Sequence, residues 1–194
     1  YAVGGGSGVT VTGSFAVALG TSLLASGNSS FTAGAGNQAT GDWSIAMGTD
    51  SYATDDGAVA VGLGASASGR GSVSIGTGTS AEADYSVAIG LGSQTYQRAA
   101  VALGDGCTSA GLAAFAAGTG SHANANHSVA IGNGANANGV GSVALGVDCY
   151  TYGEAAFAMG TGNTATGSNS VALGAESTSP GDYSFVFGSY SHST

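Results

Sequence analysis

The chain has 194 residues, of which 37 are glycine and only 7% are charged. Two arginines and no lysine leave it a formal net charge of −9, so it cannot neutralise a phosphate backbone or bind an anionic membrane surface. We therefore expect no nucleic-acid partner. No apolar run reaches the ~20 residues of a transmembrane helix, so we expect no membrane insertion by this segment.

A glycine recurs every fourteen residues through the sequence, without insertion or deletion. We call this glycine position 0 of the repeat and number other positions by their offset from it. Position −3 is β-branched or aromatic from Val17 to Phe185, and position −1 is usually Leu, Ile, Met or Val. Because these positions are two residues apart, they predict a β-strand that ends near the glycine. After Gly6, the repeat glycines are Gly20, Gly34, Gly48, Gly62, Gly76, Gly90, Gly104, Gly118, Gly132, Gly146, Gly160, Gly174 and Gly188.

A second strand is predicted in the other half of each repeat. Position +5 is small from Ala25 to Ser179, and position +7 is often a second glycine, as at Gly27. We expect glycine at both turns because tight turns often require a positive φ. The sequence thus predicts an all-β fold, a parallel β-roll solenoid of about 13 coils with two short strands each. Residues 1–194 form one repeat domain, which we expect to be a fragment of a longer fibre protein.

Position −2, between the two large apolar residues of the first strand, is small almost throughout. We expect the Val and Leu positions to point into the coil and position −2 to point outward. An outward face of alanine rather than Lys, Glu, Thr or Gln indicates close packing against another chain. The alternative is that small residues simply keep a flat, solvent-exposed sheet. The residues predicted to face the neighbouring chains are Ala88, Ala102, Ala116, Ala130 and Ala144.

The first strand reads Ser-Val-Ala-Ile-Gly at Ser86–Gly90 and Ser128–Gly132, with leucine variants at Ser142–Gly146 and Ser170–Gly174. These repeats resemble the head domain of trimeric autotransporter adhesins, the YadA-like heads, from Ala2 to Thr194. The resemblance implies a homotrimer of left-handed parallel β-rolls, exposed outside the cell and used for attachment. Similar rolls occur in phage and viral fibres, so the implied location is a cell surface or a virion or phage fibre. The implied partner is a host extracellular-matrix protein or surface glycan.

The sequence predicts no enzyme, cofactor or metal site. Asp42, Asp56 and Asp84 share position +8, and paired carboxylates serve hydrolysis, but aspartate is also the expected turn former. The three histidines occupy different repeat positions or distant coils. Ice binding would need threonine in register on one exposed face, and position +4 is irregular. We therefore assign no catalytic, cofactor-binding or metal-binding residue.

Positions +4 and +6 vary most and carry the predicted receptor-binding residues, Tyr96, His122, Tyr150 and Tyr152. Exposed aromatic side chains stack on sugars or fill pockets of a partner. The alternative is that tyrosine simply tolerates an exposed strand. Trp43 and Tyr85, at the corner before the first strand, are similar candidates.

These features support two functional hypotheses. The first is an extracellular attachment fibre that presents exposed strand residues and surface loops to a host. The alternative is a purely structural spacer or filament subunit without its own receptor.

Cys107 and Cys149 both occupy position +3 and lie three coils apart. At ~4.8 Å per coil they are separated by ~14 Å, whereas a disulfide requires Cα atoms within about 7 Å. We expect both cysteines to be small core residues without an intrachain disulfide.

Overall fold

The structure is a computed structural model that describes residues 1–193; Thr194, the end of the predicted domain, lies outside the described residues. Five-residue strands, here called long strands, alternate along the chain with two-residue short strands. The chain divides into two compact units, Tyr1–Ala99 and Ala100–Thr194. Within the described residues, no helix is long and apolar enough to cross a membrane.

In the first unit the long strands pair with one another in parallel, and so do the short strands. The long strands are β1 (Val3–Ser7), β3 (Val17–Thr21), β5 (Phe31–Ala35), β7 (Ile45–Thr49), β9 (Val59–Leu63), β11 (Val73–Thr77) and β13 (Val87–Leu91). The short strands are β2 (Thr10–Val11), β4 (Leu24–Ala25), β6 (Gln38–Ala39), β8 (Tyr52–Ala53), β10 (Ser66–Ala67), β12 (Ser80–Ala81) and β14 (Gln94–Thr95).

The second unit repeats this arrangement. Its long strands are β15 (Val101–Asp105), β17 (Phe115–Thr119), β19 (Val129–Asn133), β21 (Val143–Val147), β23 (Phe157–Thr161), β25 (Val171–Ala175) and β27 (Phe185–Ser189). Its short strands are β16 (Thr108–Ser109), β18 (His122–Ala123), β20 (Asn136–Ala137), β22 (Tyr150–Thr151), β24 (Thr164–Ala165) and β26 (Thr178–Ser179). Each residue pairs with the residue fourteen positions away, as Val143 does with Phe157. The predicted all-β parallel solenoid with two short strands per coil is confirmed.

The core of each unit is made of small side chains at four repeat positions, −4, −2, +3 and +5. Those at position −2 are fully buried, including Ala88, Ala102, Ala116, Ala130 and Ala144. The prediction that these five alanines point outward, toward neighbouring chains, was wrong, because they fill the interior of their own coil. The Val and Leu positions, −3 and −1, point outward instead. A coil of two thin strands has room inside mainly for small residues, although Leu23 and Val186 are also buried, so most large apolar side chains lie on the outside.

The repeat glycine is required by close approach of successive coils as well as by backbone conformation. Gly132 has φ 137°, and a Cβ placed on it would lie 1.9 Å from the carbonyl oxygen of Gly146 in the next coil. The glycine at position +7 has no positive φ, contrary to expectation, but a Cβ on Gly27 would meet the Gly41 oxygen at 1.8 Å. The left-handed residues of the two corners are at positions +2 and +9, and many of them are not glycine, for example Asp50.

Polar side chains at position +3 bind backbone carbonyls inside the coil. Asn37 is fully buried, and its Nδ2 donates to the Ala33 and Gly48 carbonyl oxygens, each at 2.8 Å. Its Oδ1 accepts from the Ser51 backbone N–H at 2.8 Å. The Asn37 side chain therefore links its own coil to the next one, and Asn163 makes the same three contacts in the second unit.

Candidate binding surfaces

The outward side of the long strands, which we call the long-strand face, consists of positions −3, −1 and +1. In the first unit none of these positions carries a charged residue, and in the second unit only Asp105 does. Soluble monomers rarely expose many large apolar side chains on one face, so such a face is typical of a protein–protein interface. The large apolar residues exposed at positions −1 and +1 are Leu19, Met47, Leu63, Ile75, Ile89, Leu91, Ile131, Val147, Met159 and Phe187.

The outward side of the short strands, which we call the short-strand face, consists of positions +4 and +6. All four predicted receptor-binding residues lie on it, Tyr96 in the first unit and His122, Tyr150 and Tyr152 in the second. Tyr96 and Tyr152 are exposed, whereas His122 and Tyr150 are half-buried. Tyr150 lies on β22 and Tyr152 follows the strand directly, two residues further on, so both are at the outward positions +4 and +6. Their role in binding stays a prediction.

An array of amide side chains lies beside these tyrosines. Asn124 Nδ2 donates to Oδ1 of Asn136 at 3.0 Å and to Oδ1 of Asn138 at 2.8 Å. Asn136 pairs in register with His122 on one side and Tyr150 on the other. Uncharged amides and aromatic rings on one flat surface can stack on and hydrogen-bond to polar, uncharged groups of a partner.

The carboxylates at position +8 have a structural role. Asp42 Oδ1 accepts from the Asn28 backbone N–H at 2.7 Å, and Asp56 Oδ1 accepts from the Asp42 N–H at 2.9 Å. Asn126 does the same for the Leu112 N–H at 2.9 Å, so the interaction does not require a charge. These contacts tie the corner of one coil to the next, which agrees with the turn role expected for aspartate here.

Both arginines of the chain meet at one corner of the first unit. The guanidinium carbons of Arg70 and Arg98 lie 5.3 and 5.8 Å from the centroid of the Tyr85 ring. Arg70 also pairs with Asp84, at 3.6 Å between Nη2 and Oδ2. Tyr85 was a predicted candidate for binding, whereas the two arginines were not. The sequence feature that identifies them is their shared repeat position, +8. The two arginines lie in the coils directly before and after the coil that contains Tyr85.

Both cysteines are buried and free, which confirms their predicted place in the core. Burial raises the pKa of the Cys149 thiol, and the nearby Asp148 carboxylate acts in the same direction. Residues 1–193 contain no group of three or more His, Cys, Asp or Glu side chains placed to hold a metal ion.

The fold and its surfaces define a class of protein, the parallel β-solenoid built from fourteen-residue coils. The family model for the YadA head domain repeat matches residues 24–51, 39–65, 67–93, 109–135, 123–148, 137–163, 152–177 and 165–191. The chain belongs to this family, and the predicted resemblance is confirmed. The family is one of adhesin-type heads exposed outside the cell. Comparison with the curated proteins gave no match.

Proposed function

We propose that this chain is the head of a homotrimeric extracellular attachment fibre. Its long-strand face packs against neighbouring copies, and its short-strand face contacts a host extracellular-matrix protein or surface glycan. The observation that carries the proposal is the outward apolar face in a chain of the YadA head family.

The long-strand face is the best candidate for the trimer interface. Its large apolar side chains point away from the interior of their own coil, so only another chain can bury them. Ile131 on β19 is exposed, although its neighbour Ala130 is fully buried. Burying a Leu, Ile or Val side chain contributes about 1.5–3 kcal/mol, and a threefold assembly repeats that gain in each copy. Association of this face therefore stabilises a coil whose own core contains mostly alanine and serine.

The interface is tested by making the long-strand face polar. Ile131→Gln with Leu145→Gln removes two outward apolar side chains and places amides in the proposed interface, so we expect the assembly to dissociate. Thr108→Gln is the matched control, because it adds the same side chain on the short-strand face, where Gln94 occupies the same repeat position. Light scattering gives the mass of each variant. A double variant that keeps the parental mass and melting temperature would contradict the proposed interface.

Attachment is tested on the short-strand face. We expect Tyr150→Ser with Tyr152→Ser to reduce adhesion to host cells or to a glycan array while the mass of the assembly stays unchanged. Tyr183→Ser is the control, because Tyr183 is exposed at a corner and lies outside this face. Full adhesion of the double variant would exclude this patch. A parent protein that binds neither surface would favour the structural spacer.

A further inference from the structure

We propose that Arg70, Tyr85 and Arg98, which we call the Arg–Tyr cluster, form a binding site for an acidic polysaccharide that carries carboxylate or sulfate groups. The proposal deepens the attachment function proposed above and rests on it. It concerns a corner of the first unit rather than the short-strand face, so each surface can be tested without the other.

The backbone conformation at Tyr85 keeps the ring of this residue exposed at the surface. Tyr85 has φ 58°, a left-handed conformation that bulky residues rarely adopt, and its N–H donates to the Arg70 carbonyl oxygen at 2.8 Å. Its ring lies against Gly71, where an added Cβ would be 3.2 Å from ring Cδ1. Arg70 and Arg98 reach the ring from the coils on either side. The ring is thus fixed between two cations while Tyr85 stays 47% exposed.

All of the positive side-chain charge of Lys and Arg in the chain lies at this corner, next to Asp84 in the same row of position +8. The chain has a net charge of −9, and these two arginines are its only Lys or Arg residues. Asp84 is engaged with Arg70 through both oxygens, one on the guanidinium and one on the backbone N–H at 3.1 Å. Among the described residues, no carboxylate oxygen lies within 4 Å of the Arg98 guanidinium. Arg98 therefore has its planar set of donors free for a carboxylate or sulfate.

The surroundings favour a polysaccharide over a small ion. Trp43 occupies the same repeat position as Tyr85, three coils earlier, and is 66% exposed. The two residues between them at that position are Gly57 and Gly71. At ~4.8 Å per coil this row is ~14 Å long, with an aromatic residue at each end and no side chain between. A linear sugar chain of low charge density can stack on both aromatic residues and place one acidic group on the arginines. Asp42 and Asp56 lie beside this row at position +8, so a densely charged chain is disfavoured.

The site is tested by measuring binding of the full chain to immobilised heparin, hyaluronan and dextran at fixed salt. Heparin carries sulfate and carboxylate groups, hyaluronan carries carboxylates alone, and dextran is neutral. We expect binding to at least one acidic polymer and none to dextran. Arg98→Gln is expected to weaken binding about tenfold, the effect of losing one strong charge-assisted contact. Tyr85→Ser is expected to weaken it as well, and Ser29 shows that serine adopts the same backbone, with φ 55°.

Two further variants separate this site from non-specific effects. Tyr183→Ser removes a tyrosine from the same repeat position, with φ 55°, and is expected to bind like the parent. Asp84→Asn keeps the backbone hydrogen bond, as Asn126 does at that position, but removes the charge that neutralises Arg70, so binding is expected to tighten.

Three results would overturn the proposal: no binding of the parent to either acidic polymer, an Arg98→Gln variant that binds like the parent, or an Asp84→Asn variant that does not bind more tightly. A change in assembly mass for Arg98→Gln would also overturn it, since the corner would then be an intersubunit contact. If the chain binds no acidic polymer but still adheres to host cells, the Arg–Tyr site is excluded and the proposed attachment function is not.

Discussion

Replacing one repeat glycine should disrupt the stack of coils. In Gly132→Ala the new Cβ would lie 1.9 Å from the carbonyl oxygen of Gly146, so the two coils must move apart. A side chain at φ 137° adds strain of about 1–3 kcal/mol. Loss of two hydrogen bonds between coils adds about 1 kcal/mol each. The free energy of unfolding should therefore fall by about 3–5 kcal/mol, which lowers the melting temperature by about 6–20 °C in a chain of this size.

The matched control is Gly120→Ala. Gly120 has φ 57°, but a Cβ there would meet nothing within 4 Å, and Ala113 already adopts φ 50° in this unit. The left-handed strain of about 1–2 kcal/mol is partly offset by a gain of about 0.4–1 kcal/mol from a stiffer unfolded chain. Thermal melts followed by circular dichroism, at one protein concentration, should separate the two variants. Equal melting temperatures would refute the argument from close approach of successive coils.

Three further predictions concern the interior. Ala130→Gln should lower the free energy of unfolding by about 1–3 kcal/mol through overpacking, and urea titrations should show this loss at every protein concentration if the residue lies inside its own coil. Asn37→Ala removes the two hydrogen bonds to the Ala33 and Gly48 carbonyls and the acceptor of the Ser51 N–H, and should cost about 2–4 kcal/mol. Asn37→Ser should cost less in the same titrations, because Ser51 makes equivalent contacts. Burial raises the pKa of Cys149, so above about pH 8.5 the unfolded thiol loses its proton before the folded one and stability falls as pH rises. Cys149→Ala should reduce that fall between pH 8 and 10; an unchanged pH dependence would contradict it.

The architecture was predictable because the same fourteen-residue pattern of apolar, small and glycine positions repeats in every coil. The alternation around Val87 and Ile89, the glycine after them and the small residue at +5 gave the two strands and their fourteen-residue register. The core location of Cys107 and Cys149 followed from the same register. These predictions depend on spacing alone, and the spacing has no insertion to disturb it.

The orientation of the first strand was not predictable by the same means. Alternation shows that Val87 and Ile89 share one face and Ala88 the other, but not which face is inside. The usual preference for large apolar residues in the interior gave the wrong answer. A two-stranded coil closes around alanine, so isoleucine and valine are left outside. The proposed contact between chains therefore involves the Val and Leu positions and not the alanines.

The Arg–Tyr cluster shows a second limit of sequence reasoning. Arg70, Tyr85 and Arg98 belong to three different coils, and none is unusual alone. Their repeat positions place them at one corner, but the direction of each long side chain depends on local packing. The absence of a side chain at Gly71 lets the Tyr85 ring lie there, and the salt bridge to Asp84 holds Arg70 near that ring.

The mass of the assembly in solution tests the central claim most directly. Multi-angle light scattering of the unmodified chain should give three times 18.2 kDa, because the apolar long-strand face is covered only when copies associate. The same value should persist on dilution, since obligate interfaces of this kind are large and apolar. A monodisperse species of 18.2 kDa would contradict the account.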